Sequence, residues 1–148
     1  IFFGLVAVGG TYWVQALDLS PEVFLAGGGM GAMATAILVV NNLRDIRSDA
    51  RAGKRTLAVR IGVRSTKVEY VLLLALAYSV PILGIIGFGW GYLTLLVALS
   101  FLPLIRPLRT LMSFSVGTDP YRLVPPLSAT AQAAGLYGLL LGTSLALG

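Results

Sequence analysis

Residues 21–62 read PEVFLAGGGMGAMATAILVV from Pro21 to Val40, then without a break NNLRDIRSDARAGKRTLAVRIG from Asn41 to Gly62. The first part carries a single charge, Glu22, and has the roughly 20 residues that a helix needs to cross a hydrocarbon layer about 30 Å thick. The second part turns abruptly to arginine, lysine and aspartate. Together they predict a membrane-spanning helix that opens at its end into a charged segment.

Working outward, similar apolar runs recur at Ile1 to Gln15, Val68 to Phe88, Tyr92 to Ile105 and Ala129 to Leu147. The predicted fold is therefore all-α, a polytopic transmembrane helical bundle of about five spans. The fourth run is short and has Pro103 and Pro107 near its end, which predicts a kink or tilt. Gly27, Gly28, Gly29 and Gly31, with Ala32, Ala34 and Ala36, make the second span smooth enough for close helix packing. They form no phosphate loop, because no strand precedes them. The remaining composition agrees: 57% of the 148 residues are apolar, 11% are charged and the mean hydropathy is +0.88, against about 25% charged in a soluble domain. The chain opens on Ile1 with no Met, basic leader or small-residue cleavage site, so no signal peptide is expected and the sequence reads as a truncated stretch.

The formal charge of +5 does not indicate nucleic acid. Every basic residue falls in 44–67 or 106–122, and the turns at 16–22 and 88–92 have none. That asymmetry predicts that both basic loops are cytoplasmic, with Asp18 and Glu22 on the opposite side. With neither cysteine nor histidine in the chain, a metal held by it must be a hard, oxygen-ligated ion such as Mg²⁺. Proton transfer by it must use carboxylates, tyrosine, lysine or water.

Chemistry is expected between Asn41 and Lys67. If the helix runs past Val40, its 100° step places Asn42, Asp45 and Asp49 within roughly 60° of one another. Arg44, Arg47 and Arg51 form a second stripe roughly 160° away, too far to neutralise the acids within the helix. Asp45 and Asp49, at i and i+4, repel each other unless a cation lies between them. Mg²⁺ suits a few carboxylates completed by water and phosphate oxygens. Further ligands must then come from elsewhere. Gly53 is expected to end the helix, and Lys54, Arg55 and Arg60 beyond it are cations able to hold a diphosphate. The same segment also fits a topology determinant that touches lipid headgroups, and the arginine stripe is expected to face headgroups on either reading. Thr11, Tyr12 and Gln15 are polar groups within the first run, suited either to a cavity contact or to interhelical and interfacial bonds.

The segment resembles the UbiA superfamily of intramembrane prenyltransferases, whose second acid-rich motif, DxxDxxxD, appears here as Asn42, Asp45 and Asp49. NNLRD with GKRTLAVRIG downstream is most similar to the branch that prenylates 1,4-dihydroxy-2-naphthoate in menaquinone and phylloquinone synthesis. TYWVQ at Thr11 to Gln15 and ATAQ at Ala129 to Gln132 match more weakly. The resemblance implies the C-terminal half of a domain of usually nine helices, residues 1–148 being part of one transmembrane domain with a cytoplasmic motif loop at 41–67. The protein would sit in the cell's inner or plasma membrane.

The resemblance further implies that Asp45 and Asp49, with Asn42 as ligand or neighbour, hold Mg²⁺. Lys54 would contact the diphosphate of a polyprenyl donor, with Arg44, Arg55 and Arg60 as further diphosphate contacts and Thr11, Tyr12 and Gln15 as acceptor contacts. The family's first acid-rich motif, which faces the second across a cavity, has no counterpart here, so the isolated stretch is expected to be inactive. A branch with another aromatic acceptor, and a transporter or scaffold fragment without catalysis, are the alternative readings.

Overall fold

The computed structural model describes residues 2–147, and Ile1 and Gly148 lie outside the described residues. The chain is helical throughout, with short turns and no strand among the described residues. A π-helical stretch, Phe2–Val6, leads into α1, Ala7–Ala16. The long helix α2, Pro21–Arg44, is followed by the short α3, Ile46–Arg51, and then by α4, Leu57–Phe88. A 3-10 helix, Tyr92–Leu104, runs into α5, Ile105–Ser113, and a 3-10 turn, Pro120–Leu123, runs into α6, Val124–Leu147.

Among the described residues, four helical stretches are long and apolar enough to cross a membrane: Pro21–Arg44, Leu57–Phe88, Tyr92–Ser113 and Pro120–Leu147. The first apolar run lies at the start of the described residues. Its helix ends at Ala16, and Leu17 takes a left-handed φ of 54°. The fourth run, which looked short, is long enough for another reason. Its 13 residues are 3-10 helix, and a rise of about 2.0 Å per residue carries them ~26 Å before α5 continues. The period of three is visible in burial: Thr94, Val97 and Ser100 face inward, and Leu93, Leu95, Leu96 and Leu99 face outward. Pro103 and Pro107 fall where the 3-10 helix passes into the first turn of α5. Pro107 has no amide to lose to a broken bond there.

The core lies where α2, α4, α6 and the 3-10 helix meet. α2 packs chiefly on α4, and then on the π-helical stretch and on α6, and α6 packs on the 3-10 helix. Met33, Val40 and Leu43 of α2, Tyr70 and Ala77 of α4, and Tyr137 of α6 are fully buried there. The smooth face of α2 has two uses. A Cβ at Gly29 would collide with the Tyr137 hydroxyl, and one at Gly4 with the Gly27 carbonyl oxygen.

Buried hydroxyls need partners in an apolar interior, and the tyrosines have them. Pro81, inside α4, has no N–H to give the carbonyl of Ala77, four residues earlier. The Tyr137 hydroxyl donates to that carbonyl at 2.8 Å. Thr130 donates to the Pro126 carbonyl at 2.7 Å, so the Tyr70 hydroxyl, 2.8 Å away, donates to Thr130. By the same logic Tyr78 donates to Ser100. Tyr78 also sets its ring edge-on to Tyr137 and Phe101 at 5.9 and 5.5 Å.

Candidate functional site

The stretch 41–67, expected as a loop, is helical except at Asp45 and residues 52–56. Asp45 departs only slightly, with φ −92° and ψ 7°. The ladder continues through it: Asp45 N–H donates to Asn41 O at 3.0 Å, and Asp49 N–H to Asp45 O at 2.9 Å. The helical register of Asn42, Asp45 and Asp49 is therefore real.

The helix ends as its sequence predicts. Gly53, at φ 71°, occupies the left-handed position that glycine takes without penalty. Its N–H reaches Ala50 O at 3.2 Å, and the N–H of Lys54 reaches Asp49 O at 2.9 Å. This paired closure satisfies two carbonyls of the last turn. Thr56 then caps α4, its hydroxyl accepting from the N–H of Val59 at 3.4 Å, and Gly62, at φ 78°, bends α4.

Each acid already has a basic partner, which corrects the expectation that the arginines stand too far off. Arg44 Nε and Nη2 donate to the two Asp45 oxygens, each at 2.8 Å. Side-chain length and the slight break at Asp45 let adjacent residues pair where the 100° step separates them. The Arg44 hydrogen bonds hold the Asp45 carboxyl below the usual carboxylate range. Asp49 is buried, 8% exposed, and faces Lys54 Nζ at 3.4 Å from its Oδ1. The turn at Gly53 folds Lys54 back towards it. Asn42, one turn before Asp45, is half-buried. Among the described residues no group of three or more acids, histidines or cysteines is gathered to hold a metal. The donor chemistry nevertheless suits Mg²⁺: two carboxylates and an amide, all hard oxygen ligands, with coordination left for water and phosphate.

A cavity of about 550 Å³ opens beside these residues, lined by Arg44, Asp45, Arg47, Ser48, Arg51, Ala52 and Pro120. The end of α5, which precedes the Pro120 wall, is anchored from α4. Lys67 Nζ donates to Met112 O and Phe114 O, both at 2.6 Å, which fastens the end of α5. Asp119 Oδ1 accepts from Tyr121 N–H at 3.0 Å and caps the turn that starts with Pro120. These contacts bring the 44–67 and 106–122 basic stretches to one end of the bundle.

Other predicted site residues lie apart. Arg55 and Arg60 are exposed at the start of α4 and form no ion pair among the described residues. Thr11 and Gln15 are exposed on α1. Tyr12 lines a smaller cavity, about 290 Å³, with Ser20, Glu22 and Trp90 near the start of α2. Asp45 follows the far end of that 24-residue helix, ~36 Å away at 1.5 Å per residue. The structure does not bring Thr11, Tyr12 and Gln15 together with the acids. The roles of Lys67 and Pro120 had no local signal in the sequence, because both depend on contacts between distant segments.

The fold and site define a polytopic helical membrane protein with paired acids and a basic cavity at one end of its bundle. Residues 1–118 match the UbiA prenyltransferase family, and the chain belongs to that family. Over 148 residues it is 36% identical to a protein of Mycobacterium tuberculosis named 1,4-dihydroxy-2-naphthoate octaprenyltransferase, covering 100% of this chain and 49% of that one. A protein of the same name from Escherichia coli is 36% identical over 143 residues, 95% of this chain and 44% of the relative. Its namesake in Haemophilus influenzae is 48% identical over 77 residues, 52% of this chain and 25% of the relative. The chain thus spans about half the length of the curated relatives it matches along its whole extent. No solved structure matches it significantly.

Proposed function

We propose that a protein containing this chain transfers a polyprenyl group from its diphosphate to 1,4-dihydroxy-2-naphthoate at the cytoplasmic face of the membrane. The observation that carries this reading is the Asn42, Asp45 and Asp49 face at the end of α2, in a chain similar along its whole length to proteins named for that transfer.

In the reaction the bond between the prenyl carbon and the diphosphate oxygen breaks, and its electron pair stays on the diphosphate. A ring carbon of the naphthoate forms the new bond, and the carboxylate on that carbon leaves as carbon dioxide. Aromaticity returns without removal of a ring proton, which suits a segment that supplies no histidine. Asp45, Asp49 and Asn42 are the residues to hold Mg²⁺, which when bound would stabilise charge developing on the departing phosphate oxygens. Arg44 keeps Asp45 ionised and oriented through its two hydrogen bonds. Lys54, its side chain 69% exposed, is loosely paired and free to turn to the diphosphate. Arg55 and Arg60 are further diphosphate contacts, whereas Thr11, Tyr12 and Gln15, at the other end of α2, are too far from the acids to contact an acceptor held there. The apolar interior excludes water that would otherwise capture the allylic cation.

The test is prenyl transfer by the full-length protein with Mg²⁺, offered dihydroxynaphthoate and 4-hydroxybenzoate in parallel. Dihydroxynaphthoate is the expected acceptor, and D45N or D49N should abolish turnover while membrane insertion persists. Normal turnover in both variants would remove the site assignment, and exclusive use of hydroxybenzoate would remove the acceptor.

A further inference from the structure

Tyr12 has no part in the chemistry at Asp45 and Asp49, which lie at the other end of α2. It lines instead the cavity of about 290 Å³ that it shares with Ser20, Glu22 and Trp90, where α1, the start of α2 and the turn after α4 meet. Trp90 is fixed there by the way α4 closes. Gly89 takes a left-handed φ of 70°, its N–H reaches Ile85 O at 3.2 Å, and the N–H of Trp90 reaches Gly84 O at 3.2 Å. The indole then lies on Gly84, where any Cβ would collide with the ring. Tyr12 is 40% exposed, so its ring stays accessible.

Glu22 is the one charged group in this lining. It forms no ion pair among the described residues, and every Lys and Arg of the chain lies in 44–67 or 106–122, the stretches gathered at the other end of the bundle. No basic residue of this chain therefore compensates the carboxylate, and Asp18 in the preceding turn adds to the negative charge. An anion is repelled here. A hydrated metal ion would gain little from a lining with one carboxylate, because it needs several oxygen ligands. A carboxylate beside two aromatic rings suits an organic ammonium group, which is attracted by both. Val23 and Ala26 make part of the lining apolar, which favours an amphipathic cation.

We infer that Tyr12, Glu22 and Trp90 form a binding site for the ammonium group of a zwitterionic phospholipid, at the end of the bundle opposite the basic stretches. Glu22 supplies the counter-charge, the Ser20 hydroxyl a further acceptor, and the rings a cation–π contact. The lipid's phosphate has no basic partner at this end and stays in water, so a lipid that carries phosphate without ammonium is not held. The site goes beyond the proposed transfer and does not rest on it, because no reacting group takes part.

The full-length protein in neutral detergent is titrated with phosphatidylethanolamine, phosphatidylcholine and phosphatidylglycerol of identical acyl chains, and bound lipid is counted by native mass spectrometry. The protein should retain at least one of the two ammonium lipids more strongly than phosphatidylglycerol. E22Q and Y12L should each weaken that retention about fivefold, the factor that one exposed ion pair or one cation–π contact supplies, and leave phosphatidylglycerol unchanged. Y12F keeps the ring and should bind like the unaltered protein. Tyr12 is exposed and Glu22 only half-buried, and an unchanged unfolding temperature verifies that each variant folds. A loss in both ammonium lipids supports recognition by charge and ring, and a loss confined to phosphatidylethanolamine supports recognition that also uses its N–H donors. The inference is overturned if E22Q or Y12L leaves retention unchanged, or if phosphatidylglycerol falls in step with the ammonium lipids. It is equally overturned if D18N, which removes a nearby acid outside the lining, weakens binding as much as E22Q.

Discussion

Arg44 and Asp45 are adjacent in the chain and joined by two hydrogen bonds of 2.8 Å, so the guanidinium sets the charge state of the acid. An unfolded Asp titrates near 3.8, and the folded carboxyl titrates lower. A depressed carboxylate contributes stability at every pH above its unfolded value and loses that contribution as pH falls through the folded one. The pair is thus insensitive to pH through the neutral range and fails only in acid. Carbon-detected NMR of the Asp45 carboxyl should give a midpoint below 3.8 in the native chain and a higher one in R44Q. A native midpoint at or above 3.8 would contradict the pairing.

Among the elements, α4 and α6 are joined by a device that depends on a proline. Pro81 leaves the Ala77 carbonyl without its helical donor, and Tyr137 supplies one across the interface. Removing that hydroxyl with Y137F orphans a buried carbonyl, at a cost of about 1–3 kcal/mol. P81A restores an amide four residues after Ala77, so the P81A/Y137F double variant should recover most of the loss. Thermal unfolding in detergent measures the coupling, and strictly additive effects would refute the link.

Helix α2 offers a paired comparison on the same interface. G29A drives a Cβ into the Tyr137 hydroxyl, whereas a Cβ at Gly28 meets nothing within 4 Å. Overpacking at Gly29 should cost about 1–3 kcal/mol, and G28A should be neutral or slightly stabilising. Equal unfolding temperatures for the two variants would mean that α2 and α6 do not meet in this register.

For the whole molecule, the tie from Lys67 to the end of α5 and the Pro120 wall beside Arg44 put both basic stretches at one end. Asp18 precedes α2 and Arg55 follows α3, so they bracket the span. The chain has no cysteine, which makes introduced thiols in this segment informative. R55C and V116C should react with an impermeant maleimide in inside-out vesicles, and D18C should react only from the other face. Labelling of R55C and D18C from one side would overturn the crossing of α2.

The sequence by itself determined that the chain is helical and membrane-embedded, where its charge collects, and which carboxylates share a face near the end of α2. Those properties follow from local patterns: the length of apolar runs, the 3.6-residue period and the conformational freedom of Gly53. Tertiary structure decided the remainder. The 3-10 form of Tyr92–Leu104 shows in the inward period of Thr94, Val97 and Ser100, packed within the bundle. Pairing of Asp45 with Arg44 turned on side-chain reach and a small break in the backbone. The arginine stripe was legible as a stripe. That it lines a cavity was not, because the opposite wall, Pro120, arrives from 69 residues beyond Arg51 and is held there by contacts between distant helices.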